Sequence, residues 1–158
     1  MTEEAETSKK SSEDTEDIGD IEDITEDEKR PDRAAYWIRS AEKNLLSAKS
    51  VFSVDEWQWA AFLCHLIAEK ALKAIIAKGG IFPQKIHALR RLAELGGIRR
   101  NLSKEQWQFL GYLMSFHIEP RYEAYEENVD MTLNREECSA ILQKTEEFFL
   151  WIKNRLLL

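Results

Sequence analysis

Four long segments after Pro31 carry apolar residues at steps of three and four, and no stretch alternates with the two-residue period of a strand. That pattern admits helices with one apolar face each and little else. In the first segment Trp37, Ala41, Leu45, Ala48 and Phe52 share a face, and Asp32 stands at the expected N-cap. In the second, Ala61, Cys64, Ala68, Ala71, Leu72 and Ile75 form the inner face. Asp55 reads as its cap, Gln58 as its capping-box partner and Gly79–Gly80 as its stop. A shorter helix is expected from about Lys85 to Leu95, closed by Gly96 and Gly97. Ser103 and Gln106 make the capping box of the next, with Leu102 placed to staple onto Trp107. That helix carries Leu110, Leu113 and Phe116 and runs to Pro120, which pushes Glu119 out of the helical region. Asn134 and Glu137 open the last one in the same way, ahead of Cys138, Ile141, Leu142, Thr145, Phe148 and Ile152. The fold implied is all-α: an up-down antiparallel four-helix bundle with one additional short helix in a crossover.

Charge divides the chain where the periodicity begins. Residues 1–33 hold 14 acids and 5 bases, a net of −9, while the remainder holds 15 acids and 17 bases, a net of +2. Besides Met1, the only large aliphatics before the first helix are Ile18, Ile21 and Ile24, too few to offset chain entropy. Residues 1–32 are therefore expected to be a disordered acidic tail, and residues 33–158 a single bundle domain. The tail lacks the basic and apolar regions of a signal peptide, and no run reaches membrane-spanning length, so a cytoplasmic protein is expected. Cys64 and Cys138 stand alone on predicted helices, without a CxxC or a Cys/His cluster. They read as small buried hydrophobes, and neither a metal nor another cofactor is expected.

The chemistry-bearing residues fall in three places. His65, Glu69 and Lys73 stand at i, i+4 and i+8, hence on one helical face. They read either as a ligand-binding stripe or as a half-exposed flank with a Glu–Lys pair worth a few tenths of a kcal/mol. Arg90, Arg91, Arg99 and Arg100, with Lys104 close behind, suit either phosphate contact or simple compensation of a helix C-terminus. A domain net of only +2 argues against a broad nucleic-acid surface. His87 is expected near the N-terminus of the short helix, where the dipole disfavours its imidazolium form. In "FHIEPRYEAY", His117 occupies the last turn of a helix, and Arg121 and Tyr122 follow the break. A proton-transferring His beside a phosphate-gripping Arg suits phosphodiester chemistry, and the same residues suit a plain helix terminus.

Several stretches together resemble the prokaryotic HEPN domain: "YWIRSAEKNLLSAKSVF", "WQWAAFLCHLIAEKALKAIIAKGG", "KIHALRRL" and "RYEAY", spanning about residues 34–153. "HLIAEKALKAIIA" followed by a His at the next short helix is the most specific of them. The resemblance implies an up-down bundle that dimerises through its helices. Many members of that family are RNases of toxin–antitoxin or defence systems, and some are partnered by a minimal nucleotidyltransferase. Others have lost the nuclease and are thought to bind nucleotides, RNA or protein partners. The RNase members carry an Arg, four to six residues, then a His. Counting back from His117, those places are Leu110, Gly111 and Tyr112. The Arg lies after the His instead, as in the branch of the family with an "RY" ending.

The expected function is a HEPN-like protein that binds a nucleotide or RNA phosphate and acts with a partner. The partner that the resemblance implies is a minimal nucleotidyltransferase in a toxin–antitoxin-type pair. Arg121, Tyr122, His87, Lys73, His65 and Glu69 are the candidate phosphate-binding residues. The alternatives are an RNase using His117 and Arg121 without a metal, and a non-catalytic dimeric scaffold. A homodimer is expected from the resemblance and from the five Trp and seven Phe on a small bundle.

Overall fold

The structure is a computed structural model that describes residues 33–82, 85–117 and 133–157. Among the described residues five α-helices follow one another: α1 (Arg33–Ser53), α2 (Trp57–Lys78), α3 (Leu89–Leu95), α4 (Lys104–Leu113) and α5 (Arg135–Leu156). Short 3₁₀ turns, Arg99–Asn101 and Met114–Phe116, precede and extend α4. No strand occurs among the described residues. The acidic tail, with Asp32, and the stretch holding Pro120, Arg121 and Tyr122 lie outside them.

Side-chain contacts fix the helix directions. Lys49 Nζ lies 2.9 Å from Glu146 and Lys153 Nζ 2.6 Å from Glu42, so α1 and α5 are antiparallel. Cys138 donates to the Trp57 carbonyl and Lys78 to that of Leu156, so α2 and α5 run level and parallel. α3 ends against Ile75 and Ile76 of α2, and the chain returns to bring His117 beside His65, ten residues earlier on α2. The result is the up-down bundle, with α3 inserted in the crossover between α2 and α4.

α2 is the central helix. Ala60, Ala61, Cys64, Ile67, Ala68, Ala71, Leu72, Ala74, Ile76 and Ala77 are all buried, which covers every side of its cylinder. The others each contribute a stripe: Ile38, Ala41, Leu45 and Ala48 from α1, and Ile141, Thr145, Phe148, Phe149 and Ile152 from α5. Both cysteines are free and buried inside this core, which pushes their thiols up to about 12 at Cys64 and about 11 at Cys138.

The helix ends follow local chemistry, with four departures from the sequence reading. Ser103 and Gln106 form the full capping box, the hydroxyl accepting from Gln106 N at 3.0 Å and the side-chain amide oxygen from Ser103 N at 2.9 Å. Asn134 Oδ1 accepts from Glu137 N at 2.8 Å, but the Glu137 carboxylate takes the Asn134 side-chain amide, so this box is only half made. Asp55 does not cap α2. It sits at φ 65 as the left-handed residue that closes α1, with Asp55 N–H on the Phe52 carbonyl and Glu56 N–H on that of Val51. Asp tolerates that conformation better than most residues, and Glu56 takes the N-cap without a side-chain bond. α3 is shorter than expected and starts at Leu89, which leaves residues 85–88 irregular. Its end matches the reading: Gly97 at φ 71 lets Ile98 N–H reach the Ala93 carbonyl at 3.1 Å. α4 tightens into a 3₁₀ turn at Met114, ahead of the expected stop at Pro120.

Candidate functional site

The chain has three histidines, 22 and 30 residues apart, and the fold gathers them on one side of α2. His65, in the middle of α2, is 2 % exposed. Its Nε2–H donates to the His87 carbonyl at 3.3 Å, which leaves Nδ1 as a buried acceptor with no hydrogen-bond partner among the described residues. Burial lowers the His65 pKa below its ordinary 6.5, and the neighbouring imidazoles of His117 and His87 add to that, against the pull of Glu69 and the His87 carbonyl. His65 is therefore a neutral imidazole at pH 7.

One turn along, Glu69 is the hinge of the cluster. One carboxylate oxygen accepts from His87 Nδ1 at 2.7 Å and the other faces Lys73 Nζ at 3.4 Å. A carboxylate only accepts, so His87 carries its proton on Nδ1 at this contact. Lys73 completes the line with its ammonium 5.4 Å from the centre of the Trp37 ring, a cation–π contact supplied by α1. Glu69 and Lys73 are buried, at 5 % and 6 % exposure. The half-exposed flank expected for this stripe is thus corrected: because α2 is central, its polar face is enclosed.

His87 and His117 stand on the rim. The His87 side chain is 63 % exposed and precedes α3 by two residues. The expected dipole effect of a helix start gives way to its bond with Glu69. His117 follows the 3₁₀ turn, and its Nδ1–H donates to the Met114 carbonyl at 2.7 Å. Its ring centre lies 6.3 Å from that of His65. Neither rim imidazole uses Nε2 in a hydrogen bond within the described residues. The structure thus brings His65, Glu69, Lys73, His87 and His117 together, while Arg121 and Tyr122 lie outside the described residues. Trp37 is the member that sequence reasoning missed. Its spacing puts it on the apolar face of α1, and nothing there marks the lysine beneath it.

The arginines form a second cluster around Trp107. The Arg90 and Arg99 guanidiniums lie over its indole, 5.1 and 3.9 Å from the ring centre, and Arg90 Nε also donates to the Trp107 carbonyl at 3.1 Å. Arg90 can lie there because residue 111 is glycine: a Cβ at Gly111 would collide with its guanidinium. Glu94 pairs with Arg91 at 3.3 Å and Arg99 at 3.8 Å. Arg100 and Lys104 are exposed and make no hydrogen bond or ion pair within the described residues.

No group of three or more His, Cys, Asp or Glu among the described residues could hold a metal ion. No helix there is long and apolar enough to cross a membrane. A family model described as the HEPN domain matches residues 34–155. No curated protein matches the sequence. Among solved structures, the crystal structure of TT1696 from Thermus thermophilus superposes with a TM-score of 0.65. The match has 19 % identity and covers 78 % of this chain and 98 % of that one. At that identity the likeness concerns the fold.

Proposed function

The chain belongs to the HEPN domain family, and on that premise we propose that it binds the phosphate of a nucleotide or of RNA at the histidine cluster and acts with a partner protein. The observation that carries this reading is the pair of exposed imidazoles, His87 and His117, set around the buried, neutral His65. Each has Nε2 available to donate to a phosphate oxygen when protonated. Glu69 orients His87 through Nδ1, and Lys73 balances Glu69. These two and His65 act on a ligand through the rim, since all three are buried. Arg121 and Tyr122, four and five residues beyond His117, are assigned to the same site, the guanidinium as a forked phosphate grip and the phenol as a stacking surface. The proposed setting is cytoplasmic: a homodimer with a minimal nucleotidyltransferase in a toxin–antitoxin-type pair.

A second reading, metal-independent RNA cleavage, is favoured by two specific observations. Two imidazoles on one rim can divide the work of a phosphodiester cleavage, one taking a proton from the attacking 2′-hydroxyl and the other giving one to the leaving oxygen. No Arg occupies positions 110 to 112, but the Arg90 guanidinium fills the space beside Gly111.

One set of preparations tests both readings, with ATP binding and degradation of total RNA measured on wild type, Arg121→Ala and His117→Ala. Arg121→Ala should weaken ATP binding by about 1–3 kcal/mol, the loss of a charge-assisted hydrogen bond. His117→Ala should weaken it less, since the imidazole offers one donor where the guanidinium offers several. RNA should survive in every sample. Robust cleavage by wild type that is lost in His117→Ala would install the RNase reading. Unchanged binding in both folded variants would leave a scaffold.

A further inference from the structure

We propose that the acidic segment at residues 13–28 of this chain lies across the arginine face formed by α3, the 99–101 turn and the start of α4. The two stretches are matched in charge. Residues 13–28 hold ten acids and no base, whereas residues 85–104 hold six bases and one acid. That one acid, Glu94, is already shared between Arg91 and Arg99. Two of the cations are also held in place before anything binds. Trp107 carries Arg90 and Arg99 over its indole, and Gly111 leaves room for the Arg90 guanidinium. A guanidinium stacked on a ring keeps its in-plane N–H groups for carboxylates. Arg100 and Lys104 have no partner in the described fold and complete the face.

The position of the tether favours this occupant over a free one. α1 begins at Arg33, whose guanidinium donates to the Ala77 carbonyl and lies over Phe82. α3 ends where Gly96 packs on Ile75 and Ile76, one to two residues away along the same helix. The acidic segment is therefore rooted at the end of the bundle where the arginine face begins. Even with the dimensions of a random coil, the 20 residues from Glu13 to Asp32 reach about 25 Å. Tethering at that range supplies an effective concentration on the order of millimolar. The contact requires no ligand at the histidine cluster, so it stands or falls apart from the function proposed above.

The test uses the full chain with a nitroxide on Thr15→Cys. Cys64 and Cys138 are buried with raised thiol pKa values, so the label goes to the new thiol. The readout is the Trp107 indole N–H resonance, identified by its loss in Trp107→Phe. At about 0.01 M salt, where charges act over about 30 Å, this resonance should lose most of its intensity to the label. It should recover at about 1 M salt, where the range falls to about 3 Å. Recovery is also expected at low salt in Arg100→Glu/Lys104→Glu, which breaks no contact of the described fold. A variant with Asp14→Asn, Glu16→Gln, Asp17→Asn and Asp20→Asn leaves the bundle untouched and should restore the signal too. An undimmed Trp107 at low salt, or dimming that survives both charge variants, overturns the proposal. If Trp107 is undimmed while Arg100→Glu/Lys104→Glu weakens binding of an oligouridylate, the face belongs to a nucleic-acid strand and the proposal is rejected.

Discussion

The protein contains the same ion pair in two settings. On the surface, Lys153 lies 2.6 Å from Glu42 and Lys49 2.9 Å from Glu146, all with side chains 36–47 % exposed. Inside, Lys73 lies 3.4 Å from Glu69, with side chains 8 % and 6 % exposed. Distance alone ranks the surface pairs as the stronger. Burial reverses the order, because water screens an exposed pair and competes for both ends of it, whereas neither buried charge has that recourse. Glu69 and Lys73 depend on each other, on His87 and on the Trp37 ring. A buried pair of this kind is not evidence for extra stability, since apolar replacements of similar volume are often as stable. Its place in the molecule is better explained by what it holds, the orientation of His87.

The largest effect should come from breaking the buried pair on one side only. Glu69→Ala leaves the Lys73 ammonium enclosed without its carboxylate and is expected to cost about 3–5 kcal/mol in denaturant unfolding. The comparison sharpens when both charges go. Glu69→Leu/Lys73→Met should fold with stability near or above wild type, by up to about 4 kcal/mol, because the desolvation cost disappears with the charges. On the function proposed above, the same variant should also lose nucleotide binding, because nothing then fixes His87. If it unfolds as readily as Glu69→Ala, the pair itself stabilises the fold, and orienting His87 is not the reason it is there.

This is also where the sequence stopped being legible. The helices, their order and most of their ends could be read, because periodicity and caps are local: Ser103 with Gln106 and the glycine pair before Ile98 behave as their spacing says. Asp55 misled because a residue between two helices can serve either one, and it serves α1. The stripe of His65, Glu69 and Lys73 was legible as a stripe, but its burial was not. Whether a polar face of α2 meets water depends on what α1, α3 and the 3₁₀ turn at Phe116 lay over it, and spacing within α2 does not carry that. A hint was present: apolar residues occupy all sides of α2, as in a helix enclosed on every side. The meeting of three histidines spread along the chain is a property of the crossover alone.

A smaller effect, tunable by pH, comes from His65. Its folded pKa is lowered from 6.5, chiefly by burial. Below pH 6.5 the unfolded chain binds a proton that the folded one does not, so stability falls as pH drops through that window toward the folded value. Above it the two states are equally neutral at this residue and the dependence vanishes. His65→Gln retains a donor for the His87 carbonyl and removes the titration. Unfolding free energies between about pH 5 and 8 should therefore fall less steeply on the acid side in the variant than in wild type. Identical profiles would mean that His65 is not the buried neutral group its surroundings make it.

The smallest effect is expected at the shortest contact. Lys153→Ala, Glu42→Ala and the double variant form a cycle that isolates the coupling of the 2.6 Å surface pair from what each side chain does alone. Both partners stand on helices already fixed by packing, but each must still give up side-chain freedom in water to hold the contact. The coupling should be about 0.2–1 kcal/mol and should shrink at about 1 M salt, where screening acts within a few ångströms. The buried pair should show almost no such salt dependence, since ions do not reach it. A surface coupling above about 3 kcal/mol, or one indifferent to salt, would mean that separation rather than enclosure sets the worth of these pairs. The burial of Glu69 would then have nothing to do with how firmly it holds His87.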